Sequence, residues 1–364
     1  MDNDGDGRMD EGTVVSSEPG VFVDRRRPVA RRRSSRGSMG AIALIAIATL
    51  GAVQFMKPPA DAPATAFSNL TAALAPAIAL PTAMPTADAF GRSGEVKVRF
   101  SLPGEPVEFP LAIGGRADSL EYQWVRVSDS VAAGDPRPLT AAPPVAPKVA
   151  GFYHLAVVRD SAREIVAEPT LAVLVPFDRK LGAWLNGYRI GTYLAERARG
   201  NHDTPVGFVE VRPELLDLPL SKHLKLSDFV THDDQDNVWP KYVALNPRLL
   251  DKLELILSDV GGAARPELEI DVHSGFRSPS HNREVRRAAS DSRHQYGDAA
   301  DVQIDTDGDG KITMVDEIRV MLAVERVEDA HPDLVGGLGI YTSRHYRTPY
   351  LHIDARGKKS RWRG

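Results

Sequence analysis

Three side chains far apart in the sequence have the types needed to hold one divalent ion. His294 and Asp301 offer a nitrogen and an oxygen, and Gly297 between them breaks the chain and lets it fold back. Asp301 opens the strand-like run Asp-Val-Gln-Ile, and His352 lies in a second apolar run, Tyr-Leu-His-Ile, that can pair beside it. Two strands presenting His, Asp and His supply three ligands and leave a fourth position to water. That is the donor set of an open, catalytic zinc site rather than a closed structural one. The 364-residue chain has no cysteine, which excludes thiolate-held metal, disulfide scaffolds and thiol nucleophiles. Nine of the ten histidines fall between His202 and His352, so the chemistry is expected in the second half. A net charge of −4 argues against a nucleic-acid partner, which selects for a basic face.

A second metal signal follows Asp301 closely. The run from Asp305 to Asp316 has the Asp-x-Asp-x-Asp-Gly spacing of a calcium loop. Asp305, Asp307 and Asp309 would supply side-chain oxygens, Gly310 the sharp turn, Lys311 a carbonyl and Asp316 the acid at position 12. Three carboxylates so close repel one another unless a cation neutralises them. No entering helix is evident, so the expectation is an EF-hand-like calcium loop that braces the strand bearing Asp301. Asp2, Asp4 and Asp6 repeat the spacing near the N-terminus, but Thr13 stands at position 12 and the reading there is disorder.

The pattern Ser-x-His-x-x-Gly-x-Ala-x-Asp, carried by Ser292, His294, Gly297, Ala299 and Asp301, resembles the zinc D-alanyl-D-alanine carboxypeptidase family. That family includes the vancomycin-resistance dipeptidases and relatives of the zinc-binding hedgehog fold. The run Ser274-Gly-Phe-Arg277-Ser-Pro and the late runs Gly339-Ile-Tyr341 and His352-Ile-Asp354 match in the family's order, and the resemblance spans about residues 205–357, including Pro219 to His223. It implies that His294, Asp301 and His352 are zinc ligands, that Arg277 clamps the substrate's terminal carboxylate or a neighbouring carbonyl, and that Ser292 shapes the pocket. A planar guanidinium grips a carboxylate bidentately, which independently suits Arg277 to that role.

The chain departs from the family in one respect. A Glu three residues before the last histidine, or a His two before it, commonly serves as the base; here those positions hold Pro349 and Tyr350. Peptide hydrolysis needs a group that takes a proton from water and passes it to the leaving amine. Asp354 and His345 are the candidates, and Asp354 is equally suited to orient a ligand histidine from behind. His223 and His273 flank the motifs and are candidates for lining the pocket.

The elements that must position these residues read as an α+β domain over residues 178–364. Leu249, Leu250, Leu253, Leu255 and Leu257 predict a helix running to Gly261-Gly262, and Leu268 to Val272 a strand. A short helix is expected over Asn282–Ala289, a strand over Ala299–Ile304, and a helix over Val315–Val327 with Ile318, Met321, Leu322 and Val327 apolar. Between residues 95 and 177 the period becomes two, as in Val96, Val98 and Phe100, or Leu120, Tyr122 and Trp124. Trp124 in mid-strand and the run Gly151 to Leu155 resemble a small immunoglobulin-like β-sandwich with a tyrosine corner and no disulfide.

Upstream, residues 1–38 are polar, with acids first and arginines after, and read as a disordered cytoplasmic tail. Met39 to Met56 is uncharged and, at about 1.5 Å per residue, just long enough to cross a bilayer core. With arginines directly before it, the run reads as a transmembrane signal anchor that leaves the rest outside the cytoplasm; cleavage near Ala64-Thr65-Ala66 is the rival. The Ala- and Pro-rich stretch 57–94 reads as a semi-extended linker. These expectations combine into a periplasmic, membrane-tethered zinc peptidase acting on peptidoglycan stem peptides. The alternative is a catalytically silent wall-binding or scaffold protein, and a protein or wall partner is expected for the β domain.

Overall fold

The computed structural model describes residues 91–109, 120–140, 142–159, 162–198, 204–262, 268–342 and 349–364. The tail, the apolar run 39–56, the linker up to residue 90 and His345 lie outside the described residues. Among those described, no helix is long and apolar enough to cross a membrane.

The N-terminal part is built on a five-stranded sheet of β1 (Val98–Ser101), β2 (Glu121–Arg126), β3 (Arg137–Pro138), β4 (Gly151–Arg159) and β5 (Ala162–Val173). Their order is β1-β5-β4-β2-β3, with β1 parallel to β5 and the other pairs antiparallel. Trp124 packs edge-on against Phe109 at 5.7 Å and donates its indole N–H to the Val145 carbonyl at 2.8 Å. The Tyr153 hydroxyl donates to the Val149 carbonyl at 2.9 Å, a bond of the tyrosine-corner kind. The segments that carry Val107, Phe109 and Ala146 pair through an isolated bridge between Pro106 and Val145, and among the described residues they form no second sheet. Pro103, Pro106, Pro143, Pro144 and Pro147 stand in those segments and cannot donate to a ladder.

The chain continues through β6 (Val175–Pro176), the hairpin of β7 (Trp184–Leu185) and β8 (Tyr188–Arg189), and α1 (Leu194–Ala198). Next come β9 (Gly207–Val211) and β10 (Lys241–Val243), which join β6 in a small sheet of order β10-β9-β6. The remaining elements are α2 (Pro247–Gly261), β11 (Ile270–Ser274), α3 (Pro279–Asn282), β12 (Ala299–Ile304), α4 (Met314–Ala330), β13 (Gly337–Tyr341), β14 (Tyr350–Asp354) and β15 (Ser360–Arg363). The C-terminal sheet runs β11-β12-β14-β13-β15, antiparallel except that β13 and β15 are parallel. Alternation sorts its side chains. Ala300, Val302, Ile304, Leu338, Leu351 and Ile353 enter the core shared with α2 and α4, and Asp301 and His352 point to the other face.

Helix α2 starts where the Asn246 side chain accepts from the Arg248 N–H, with Pro247 at its first position, and buries Leu249, Leu250, Leu253, Ile256 and Leu257. Lys252, on the same helix, is fully buried and reaches both the Glu328 carboxylate and the Asp354 carbonyl at 2.7 Å, which fixes α4 and β14 to it. Two expectations need correction. The helix expected over Asn282–Ala289 lies earlier, at Pro279–Asn282, because the Ser278 side chain caps it and Pro279 starts it; turns follow, with Arg287 left-handed at φ +64°. In α4 the inward face is Val320, Ala323, Val324 and Val327, and Ile318 and Leu322 are 48% and 52% exposed.

Candidate metal centre

Asp301 and His352 are direct cross-strand partners in the β12–β14 ladder, so the sheet register alone brings one carboxylate and one imidazole together. His294 comes from a 3-10 turn over Arg293–Tyr296 that ends at Gly297, left-handed at φ +71°. A side chain there would also collide with the backbone carbonyl of Ala244, so the turn needs glycine twice over. The rings of His294 and His352 stand 4.9 Å apart at 69°.

Both imidazoles have their outward nitrogen occupied. His294 Nδ1 lies 2.7 Å from the Gly275 carbonyl, and His352 Nε2 lies 3.1 Å from the Asp354 carboxylate. Each acceptor assigns a proton to the nitrogen it faces and leaves the other nitrogen with a lone pair. Those two nitrogens and Asp301 Oδ1 form a triangle with edges of 3.1, 3.1 and 3.0 Å. Ligands bound at 2.0–2.1 Å to a tetrahedral zinc are about 3.3–3.4 Å apart, so the triangle matches one face of that tetrahedron closely. Three lone pairs converging in a buried site cannot satisfy one another, and a cation can satisfy all three. Among the described residues, His294, Asp301 and His352 form one of two groups whose ligand atoms lie close enough together to hold a metal ion.

The electrostatics agree. Burial works against charge on Asp301, but His294 and His352 outweigh it and hold its carboxyl well below the usual carboxylate range. Burial lowers the His294 pKa. Burial also acts to lower the His352 pKa, yet its hydrogen bonds to Asp301 and Asp354 prevail and the net direction is upward.

The remaining expected site residues fall as follows. Arg277 donates through Nη2 to Asp301 Oδ2 and through Nε to Ser274 Oγ at 2.7 Å, so its guanidinium grips the outer oxygen of a ligand carboxylate. Ser292 is half-buried at the start of the His294 turn and makes no capping bond with its side chain. Asp354 is fully buried, and its carboxylate accepts from the Gly337 N–H at 2.7 Å and from Arg356 Nε at 2.9 Å besides facing His352. That geometry makes it the carboxylate that orients His352, and it leaves no free oxygen for a reacting proton. His223 is not part of the His294–Asp301–His352 group and places Nδ1 on the buried Glu254 carboxylate at 2.6 Å.

Of the residues expected to hold calcium, three carboxylates lie together and the fourth is engaged elsewhere. Oxygens of Asp305, Asp307 and Asp309 lie within 4.8 Å of one another. Asp316 does not join them: it accepts from Thr306 N–H and hydroxyl with one oxygen and from Thr313 N–H and hydroxyl with the other, closing the capping box of α4. Position 12 is therefore committed to starting a helix.

Trp362 and Arg356 were not singled out from sequence. The Trp362 indole covers His352 with ring centroids 5.1 Å apart and donates to the Tyr341 hydroxyl at 3.0 Å. Gly339, its partner in register, leaves the space the indole fills. Arg356 stacks on the same indole at 5.5 Å. A register shift between Val272 and Ser274 makes His273 the extra residue of a β-bulge, which re-aims its side chain. Its ring meets Tyr350 edge-on at 6.3 Å, and Tyr350 stands two residues from His352 on the same face of β14. The alternation of Gly337 and Gly339 opposite a lone tryptophan was the available signal.

Compared with known proteins, residues 232–323 match the family described as Peptidase M15. The match includes His294 and Asp301 and ends before His352. No curated protein and no solved structure matches the chain.

Proposed function

We propose that the chain is a zinc peptidase that hydrolyses peptidoglycan stem peptides, as a carboxypeptidase at D-Ala termini or an endopeptidase at cross-links. One observation carries the reading: three ligand atoms at 3.0–3.1 Å from one another, with the outward nitrogens of both histidines tied to acceptors. The Peptidase M15 match over residues 232–323 supports it. The tether expected from Met39 to Met56 would keep the site beside a fixed, polymeric substrate outside the cytoplasm.

Zinc held there would supply Lewis-acid chemistry, polarising the scissile carbonyl and acidifying water. His294 Nε2, Asp301 Oδ1 and His352 Nδ1 would hold it, and Arg277 keeps Asp301 turned so that only one oxygen faces inward. With the peptide in place, Arg277 is close enough to the centre to share its second edge with a substrate carboxylate. A proton must leave the water and reach the leaving amine. Asp354 has no oxygen to spare for this, so the carrier is His345 or, on the metal-bearing face, His273.

The test is incubation of the zinc-loaded full chain with purified muropeptides, reading product masses. Loss of one alanine marks a carboxypeptidase and splitting of a dimer an endopeptidase. Failure to bind zinc, or no product from any muropeptide, would end the reading. Pro349 and Tyr350 at the family's base positions, together with the commitment of Asp354, favour the silent wall-binding alternative; binding of muropeptides without turnover would identify it.

A further inference from the structure

One sizeable cavity among the described residues is lined by none of His294, Asp301 and His352. It is a cleft of about 1150 Å³ between the β domain and the first elements of the C-terminal domain. Cavities of this size at domain junctions are habitual ligand sites. Its floor is apolar, from Phe152, Val175 and Leu215, all nearly inaccessible. Two large aliphatic side chains stand out at its lip, Leu181 at 79% exposure and Val149 at 63%.

The charges around it narrow the ligand. Arg126 is paired with Asp129 at 2.7 Å and Arg212 with Glu210 at 2.8 Å, so these four are neutralised internally. Lys148 and Arg179 remain as cations, and Asp178 and Glu214 as anions, with no ion pair or side-chain hydrogen bond among the described residues. A nucleic acid or other polyanion would meet the two acids, and a polycation the two bases. Phe152 is the one aromatic residue in the lining and is only 2% exposed, so a glycan finds no open ring face on which to stack. What suits an apolar floor rimmed by two free charges of each sign is an oligopeptide carrying both amines and carboxylates.

We propose that this interdomain cleft is a second binding site for zwitterionic peptide, which holds one stem peptide of the polymer while the metal centre acts on another. The choice of stem peptide as occupant rests on the peptidase reading; the cleft itself does not depend on metal. Two linked contacts raise the local concentration of substrate at the centre without any change in its chemistry. The β domain, which supplies Lys148 and Val149, thereby has a role in retention.

The test is calorimetric titration of the full chain, stripped of metal with chelator, with purified stem tetrapeptide. The metal-free protein is expected to bind, and His294→Ala to bind equally. The double reversal Lys148→Glu/Arg179→Glu, at exposed positions, is expected to weaken binding at least tenfold with an unchanged melting temperature. N-acetylated tetrapeptide, which lacks the free amines, is expected to bind at least tenfold more weakly than the unmodified peptide. No binding by the metal-free protein, or equal binding by the reversed variant, would overturn the proposal. A chain that binds without metal yet hydrolyses nothing when loaded would defeat the peptidase reading and leave this site standing.

Discussion

Asp354 and Asp301 are both buried carboxylates beside His352, yet their neighbours give them different work. Asp301 keeps one oxygen free for the ligand triangle, and Asp354 gives both of its oxygens to Gly337, Arg356 and His352. Asp354→Asn is therefore expected to cost about 10- to 100-fold in zinc affinity, the usual effect of removing a carboxylate behind a ligand histidine. Competition with a chromophoric chelator measures this; a lost turnover rate with intact affinity would instead return Asp354 to proton transfer. The same site sets a pH dependence. Hydrogen bonds to Asp301 and Asp354 overcome burial and raise the His352 pKa, and proton and metal compete for Nδ1. Zinc affinity should thus fall as pH falls, beginning above the ordinary histidine value of about 6.5. An affinity that is flat between pH 8 and pH 5 would contradict His352 as a ligand. The grouping of His294, Asp301 and His352 was legible in the sequence, from residue types on two apolar runs and the chain break at Gly297. The role of Asp354 was not, because it depends on which lone pairs Gly337 and Arg356 occupy.

Elements deliver these side chains, and their reliability differs. Strands β12 and β14 followed from apolar alternation, and their pairing of Asp301 with His352 follows once they are neighbours. The 3-10 turn that carries His294 depends on one backbone torsion. Gly297→Ala would force a side chain into left-handed backbone and against the Ala244 carbonyl. The torsion alone costs roughly 1–3 kcal/mol, so a lower melting temperature and weaker zinc binding are expected together; a variant that melts and binds like the parent would show the turn adapts. At the far edge, β15 places Trp362 over His352. Trp362→Phe should keep zinc affinity near the parent's and Trp362→Ala should lose it, because a ring is what fills the space above Gly339. Equal affinities in the two would make the indole incidental. The errors at this scale are instructive. The helix expected over Asn282–Ala289 ends at Asn282 and gives way to turns that include a left-handed Arg287, and the α4 stripe that contains Ile318 and Leu322 faces outward because Val320, Ala323, Val324 and Val327 take the buried face.

At the scale of the molecule, the boundary read near residue 177 marks a change of periodicity and not a break between cores. Val96 and Val98 at the entrance of β1, with Phe152, Ala172 and Leu174 of the β domain, belong to the same buried cluster as Leu253, Val302 and Ile353. A separate cluster around Trp124 and Leu155 serves the other face of the β sheet. Sequence alternation could reveal the strands of the β domain but not which of its two faces the next domain would cover. Each fully buried aliphatic of this kind contributes about 1.5–3 kcal/mol, which is large against the 5–15 kcal/mol that separates most folded domains from their unfolded chains. A fragment beginning at residue 178 is therefore expected to be markedly less stable than the chain beginning at residue 91, with an earlier melting transition and exposed apolar surface that binds hydrophobic dye. Zinc should recover part of the loss, since it binds only the folded arrangement of His294, Asp301 and His352. A fragment from residue 178 that melts as late as the longer chain without metal would mean that the β domain merely rests on its neighbour. The coupling argued from Val96, Val98 and Phe152 would then be absent.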